Sequence, residues 1–144
     1  MLLQRFSPAW GVFVLRVVTG LIFFVHGWQK LFEFGLAGTT GFFGSVNIPL
    51  PEVAAVIVIG LELMGGLALI LGVFTRWVAI PLAFSMLVAL FTVHLANGFF
   101  VANNGYELVL ALFGAATSLV FLGSGALAVD NVVGTEQRSL ALAR

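Results

Sequence analysis

The chain has 144 residues, of which 61% are hydrophobic and only 8% are charged. A soluble domain carries about a quarter of its residues as charged side chains, so this composition predicts an integral protein of a lipid bilayer. The formal net charge is +0, which excludes a basic surface for nucleic acid. The chain contains no cysteine, and this excludes disulfides, thiol redox chemistry and thiolate metal ligands.

The hydrophobic stretches predict a single membrane domain, residues 1–144, built as an all-α bundle of four transmembrane helices. A bilayer core about 30 Å thick requires about 20 apolar residues in a helix. The predicted spans cover about residues 8–31, 52–74, 77–96 and 106–122, and a polar, mobile tail follows at 130–144. Two connections that contain paired Phe residues, 35–50 and 97–105, are predicted to lie at the membrane surface.

The basic residues set the predicted orientation of the bundle. Arg5, Arg76, Arg138 and Arg144 fall on one side of the predicted spans, and Lys30 falls on the other. Because basic residues concentrate in cytoplasmic loops, this distribution predicts that both termini are cytoplasmic. The two Phe-containing connections then lie on the outer side.

The first span ends in a polar stretch, VHGWQKLFEF, at residues 25–34. His26 and Lys30 are four residues apart, so they share one face of a helix. A rise of about 1.5 Å per residue places both of them near the outer end of the bundle, in one layer with His94 and Glu107. Glu62 is predicted to lie beneath this layer, near the middle of the membrane.

Arg16 lies on the same face as His26, still lower in the first span. An Arg or Asp at mid-membrane costs about 2.5–3.5 kcal/mol on insertion scales, so Arg16 and Glu62 are predicted to face inward and to form an ion pair. Two interpretations of this pair stay open. It is a structural contact that fixes helix register, or Glu62 has a proton or redox role.

The two histidines also have several interpretations. Each could hydrogen-bond a neighbouring helix, or act as a ligand or proton relay, since a neutral imidazole titrates near physiological pH. Metal ligation by His26, His94 and Glu107, or haem ligation by the two histidines, has suitable ligand types. The three residues lie on separate helices without paired ligand spacing, so no metal site is predicted.

Three segments of the chain resemble a known family: LRVVTGLIFFVHGWQKLF at 15–32, GLELMGGLALILGVFTR at 60–76 and FTVHLANGFFVANNGYELVL at 91–110. In this order and at these separations they resemble the DoxX family of small membrane proteins, over about residues 12–130. The resemblance implies a four-helix bundle in a bacterial inner membrane. The family's polar positions correspond here to Arg16, His26, Gln29, Lys30, Glu62, Arg76, His94, Asn97, Tyr106 and Glu107.

The resemblance also implies a link to quinone chemistry, since the family is similar to the small membrane subunit of thiosulfate:quinone oxidoreductase. The first function hypothesis is therefore a subunit or partner in quinone-linked redox chemistry, an oxidoreductase with ubiquinone or menaquinone as acceptor. Glu62, His94 and His26 are the candidate catalytic residues, as proton relay or ligands. The candidate quinone-binding residues, in a polar pocket open to the outer side, are Gln29, Lys30, Asn97, Tyr106 and Glu107. A soluble redox partner protein is expected to supply the electrons.

The alternative hypothesis is a non-enzymatic assembly or anchoring subunit, and a weaker one is a proton-coupled carrier of a small solute. Faces of small residues let helices approach closely in lipid, and they predict inward-facing surfaces and a homo-oligomer. In the second predicted span these residues are Gly60, Gly65 and Gly66, and in the fourth they are Ala111, Gly114, Ala115 and Ser118.

Overall fold

The computed structural model describes residues 7–134, and within this range the chain is helical and has no strand. The helices are α1 (Pro8–Trp28), α2 (Gly35–Ser45), α3 (Pro51–Leu71), α4 (Thr75–Ala89) and α5 (Glu107–Leu122). Short π-helical turns at Gln29–Glu33 and Leu90–His94 extend α1 and α4. The all-α prediction is confirmed for these residues. Arg5, Arg138 and Arg144 lie outside the described residues, and the cytoplasmic placement of both termini stays a prediction.

Three helical stretches of the described chain are long and apolar enough to cross a membrane: Pro8–Glu33, Pro51–Leu71 and Thr75–Asn97. α5 is apolar as well, but its 16 residues make it shorter than the others. The fold is therefore a bundle with several membrane crossings, and the crossing by α5 stays a prediction. The connection at 35–50, predicted to lie at the membrane surface, contains α2.

Glycine residues bring α1 and α3 into close antiparallel contact. A Cβ atom placed on Gly66 would lie 2.5 Å from the backbone N of Phe24, and one on Gly27 would lie 2.8 Å from the backbone N of Leu63. The two backbones therefore touch, as small residues allow in membrane helices. The prediction of inward-facing small residues is confirmed for Gly66 and wrong for Gly114, which is exposed and has open space around it.

The second helix pair is α4 with α5, and the main hydrophobic core lies between it and the first pair. Its largest fully buried apolar side chains are Phe23, Leu69, Leu82 and Leu119. The bundle has two ends. We call the end where α3 finishes the Arg16 end, and the end where α1 finishes the Lys30 end.

Arg16 is fully buried and donates all five of its N–H groups to backbone carbonyl oxygens. The acceptors belong to Leu69 (2.5 Å), Ile70 (2.7 Å), Ser124 (2.8 Å), Ala126 (3.2 Å) and Leu127 (3.2 Å). The carbonyls of the last helical turn have no partner within their own helix, so the end of α3 offers acceptors to a buried guanidinium.

The predicted ion pair between Arg16 and Glu62 is wrong. Arg16 lies level with Leu69, and Glu62 precedes that residue by seven positions, which corresponds to about 10 Å along a helix. The guanidinium is satisfied by carbonyl oxygens, and Glu62 has a different partner.

Asp130 closes the Arg16 end. Its carboxylate accepts hydrogen bonds from the backbone N–H groups of Phe74 (2.7 Å) and Thr75 (3.1 Å) and from the hydroxyl of Ser124 (2.5 Å). Partial burial raises the pKa of Asp130, but these hydrogen bonds outweigh it and hold the pKa below its ordinary value. The prediction of a mobile tail is therefore wrong at Asp130, and residues 135–144 lie outside the described chain.

Replacing Gly66 with Ala is expected to lower the free energy of unfolding by about 1–3 kcal/mol, because the added methyl group would meet backbone atoms of α1. Denaturant unfolding in detergent, followed by circular dichroism, measures this change. Gly60→Ala in the same helix is the matched control, since open space surrounds Gly60. It should leave stability unchanged or raise it by up to about 1 kcal/mol. Equal destabilisation by both variants would contradict the close contact of α1 with α3.

Arg16→Lys is expected to lower the free energy of unfolding by at least about 2 kcal/mol, because three ammonium protons cannot satisfy five buried or partly buried carbonyl oxygens. Arg76→Lys is the control, since Arg76 is exposed and makes one 3.3 Å bond to the carbonyl of Val120. Its effect should stay below about 1 kcal/mol. The same unfolding measurement applies. A similar loss of stability in both variants would argue against the five hydrogen bonds from Arg16 to backbone carbonyls.

Candidate functional site

A buried ion pair lies at the Lys30 end of the bundle. Lys30 Nζ is 2.6 Å from Glu62 Oε2, and this is the one ion pair between side chains within residues 7–134. The side chain of Glu62 is 3% exposed and that of Lys30 is 22% exposed. Charged groups inside membrane helices are costly, and they pair with one another or mark a pathway for ions or substrates.

The position of Glu62 follows from the contact between α1 and α3. Glu62 lies in the middle of α3. A Cβ atom placed on Gly27 would lie 2.9 Å from the Cβ atom of Glu62. The absence of a side chain at Gly27 therefore allows α3 to bring the carboxylate against α1. Glu62 is thus level with the last turns of α1 and below Lys30.

Lys30 lies in the π-helical turn that follows α1. A Lys near the end of a membrane helix usually extends its ammonium outward to the interface. Here the side chain reaches the buried carboxylate of Glu62 instead. π-helical turns are rare and frequently occur at functional sites, which is consistent with a special role for this turn.

His26 lies one helical turn before Lys30 on the same face, and it is partly buried. Its neighbour Gly27 contacts Glu62, so the imidazole is close to the level of the carboxylate. No hydrogen bond involving the His26 ring is found among the described residues. The predicted site residues His26, Lys30 and Glu62 therefore form one group, which we call the Lys30 cluster.

The helix α2 lies against this cluster. The hydroxyl of Thr39 donates a 3.1 Å hydrogen bond to the backbone carbonyl of Lys30, and Thr39 is only 3% exposed. Sequence reasoning missed Thr39, because one Thr in a Gly-rich connection gives no sign that it is buried. Its hydrogen bond ties α2 to the turn that carries Lys30.

A second polar group lies at the end of α4. His94 Nδ1 is 2.8 Å from the carbonyl oxygen of Asn104, and Asn97 donates to the same oxygen at 3.2 Å. Because a carbonyl oxygen only accepts hydrogen bonds, Nδ1 must carry the proton, and Nε2 of a neutral ring is then an acceptor. His94 and Asn97 thus hold the connection between α4 and α5.

Three further predicted site residues have local contacts. Glu107 accepts a 2.6 Å hydrogen bond from the backbone N–H of Val101, so it stabilises the same connection. The ring of Tyr106 packs edge to face against Phe99, with ring centres 5.4 Å apart. Gln29 donates to the exposed carboxylate of Glu33 at 3.1 Å.

The predicted layer of polar residues therefore divides into two groups. No hydrogen bond, ion pair or ring contact found within the described range joins the Lys30 cluster to the group of His94, Asn97, Tyr106 and Glu107. The same range holds no group of three or more His, Cys, Asp or Glu side chains that could bind a metal ion. His26, His94 and Glu107 accordingly do not form a shared metal site.

Comparison with known proteins gives the family. The family model DoxX matches residues 11–95. An "Uncharacterized protein" of Haemophilus influenzae is 40% identical over 132 residues, which cover 90% of this chain and 94% of the relative. The Bacillus subtilis protein named "Putative oxidoreductase CatD" is 39% identical over 85% of this chain and 87% of its own length. The "Inner membrane protein YqjF" of Escherichia coli is 34% identical over 85% of this chain and 92% of its own length.

No solved structure matches the chain. The family match, the relatives named as inner membrane proteins and the three long apolar helices agree on location. The prediction of a bacterial inner membrane protein is confirmed, and the chain is a multi-pass member of the DoxX family.

Proposed function

We propose that this protein is a membrane subunit or partner in quinone-linked redox chemistry, and that the Lys30 cluster binds the quinone head group. The name of its Bacillus subtilis relative, "Putative oxidoreductase CatD", gives this proposal weak support. The main support comes from the hydrogen-bonding state of the buried charged residues.

The observation that carries the proposal is a contrast between Arg16 and Lys30. All five N–H donors of Arg16 have backbone acceptors, so this residue needs no ligand. Lys30 has three N–H donors, and only the bond to Glu62 is found among the described residues. The ring of His26, one turn away, has no hydrogen bond in that range. The Lys30 cluster thus has hydrogen-bonding capacity that a ligand could use.

The chemistry of this cluster fits a quinone. A quinone head group supplies two carbonyl oxygens that accept hydrogen bonds, and its reduction takes up two electrons and two protons. Lys30 and His26 are suitable donors to such oxygens, and Glu62 is suited to hold a proton beside them. The side chain of Lys30 is partly exposed and that of Glu62 is buried, so a ligand would approach the pair from the side of Lys30.

The electrons are proposed to come from a separate polypeptide. The chain has no cysteine, and its described part consists of membrane-type helices and their connections. The soluble redox partner stays a prediction, and so does the homo-oligomer. A non-enzymatic assembly subunit is the alternative, and it predicts that the Lys30 cluster binds no small ligand.

Binding of a ubiquinone or menaquinone analogue to the purified protein in nanodiscs tests the proposal. Saturable binding is expected. Glu62→Gln should weaken it about tenfold or more, because the charge-assisted contact between Glu62 and Lys30 is lost. Glu33→Gln is the matched control, since it removes one carboxylate from the exposed side of the same turn. This control should bind as the original protein does.

Circular dichroism on each variant establishes that the helices remain intact. Absence of saturable binding in the original protein would overturn the proposal. Equal binding by Glu62→Gln and the original protein would place any quinone site elsewhere, and His94→Ala would then test the group at the end of α4.

A further inference from the structure

Helix α2 contains glycine at every third position, at Gly35, Gly38, Gly41 and Gly44. The whole helix has only eleven residues, so more than a third of it is glycine. Glycine is the least favourable residue in a helix interior after proline, because it loses the most backbone freedom on folding. The sequence of α2 therefore makes an intrinsically weak helix.

Packing within the chain does not require these glycines. A Cβ atom on Gly41 would have nothing within 4 Å, and on Gly38 or Gly44 it would make ordinary contacts at 3.5 and 3.9 Å. This differs from Gly66, where a Cβ atom would lie 2.5 Å from a backbone atom. The glycines of α2 thus weaken the helix without serving a close helix contact.

The segment that contains α2 is bounded by residues in left-handed conformations. Gly35 has φ +70° at its start, and Asn47 and Leu50 have φ +58° and +49° after its end. No side-chain hydrogen bond caps the N-terminus of α2. Its two buried residues are Thr39 and Phe43, which are 3% and 7% exposed.

We propose that α2 is a lid on the Lys30 cluster, and that its glycines allow it to unwind and expose the turn that carries Lys30. In the closed state Thr39 holds the carbonyl of Lys30, and Lys30 holds Glu62. Unwinding of α2 breaks the hydrogen bond from Thr39 to Lys30 and gives other molecules access to the ion pair of Lys30 and Glu62. The lid concerns access to the ion pair by any molecule, so this inference goes beyond the quinone proposal.

Thiol labelling tests the lid, since the chain has no cysteine of its own. Thr39→Cys and Phe43→Cys place single reporters on the buried face of α2, and Phe43→Cys keeps the bond from Thr39 to Lys30. Ser45→Cys is the exposed control on the same helix. Each is made with the original α2 and with Gly38→Ala, Gly41→Ala and Gly44→Ala combined. The proteins are treated in nanodiscs with a water-soluble methanethiosulfonate reagent.

With the original α2, both buried thiols should react completely, but more slowly than the exposed control. The three alanines should slow the buried thiols about tenfold or more, because they stabilise the helical state, and leave the control unchanged. Buried thiols that never react, or that react equally fast with and without the alanines, would overturn the lid.

Discussion

The close contact between α1 and α3 fixes where the charged groups of this membrane protein lie. Because Gly20, Gly27 and Gly66 have no side chains, the two backbones touch between Gly20 and Gly27 of α1. The contact sets one register, in which Arg16 meets the last turn of α3 and Gly27 meets Glu62. A shift by one helical turn would leave the guanidinium and the carboxylate without their partners, at a large desolvation cost.

The two ends of this contact differ in how completely their charges are satisfied. At the Arg16 end, carbonyls that a helix terminus leaves unpaired receive all the donors of a single guanidinium, and Asp130 holds the following segment in place. This arrangement is complete, and it is structural. At the Lys30 end, a partly exposed Lys30 pairs with the buried carboxylate of Glu62, and the nearby ring of His26 has no hydrogen bond among the described residues. Among the described ionisable side chains of α1, of α3 and of the turn after α1, the unused hydrogen-bonding capacity therefore lies at the Lys30 end.

Much of the helical fold could be predicted from the sequence, because long apolar stretches and terminal prolines mark membrane helices directly. The beginnings of α1 and α3, at Pro8 and Pro51, agree with the predicted spans to within one residue. The partners of the charged residues could not be predicted. The rise per residue gives the depth of a side chain only within its own helix. The backbone contact at Gly66 determines which residues of α1 and α3 lie at the same level. The acceptors of Arg16 are backbone carbonyls, and these leave no trace in a sequence.

The roles of Asp130 and Thr39 were missed for a related reason. Asp130 begins a polar stretch and therefore looks like part of a tail, but it binds the N-terminus of α4, which has no capping side chain of its own. The separation of the Lys30 cluster from His94 likewise depends on helix pairing. Residues at equal depth belong to different pairs, α1 with α3 and α4 with α5, and depth alone does not bring them into contact.

The central claim is that the pair of Lys30 and Glu62 serves a ligand rather than the stability of the bundle. The most direct test removes both charges together, as Lys30→Met with Glu62→Leu, and measures unfolding and quinone-analogue binding on the same preparation. Replacing a buried ion pair by apolar side chains of similar size is often neutral or stabilising, so the unfolding midpoint should stay the same or rise. We predict that binding is lost in this stable double variant. Binding that survives with unchanged affinity would contradict the claim and leave the pair without a role in ligand recognition.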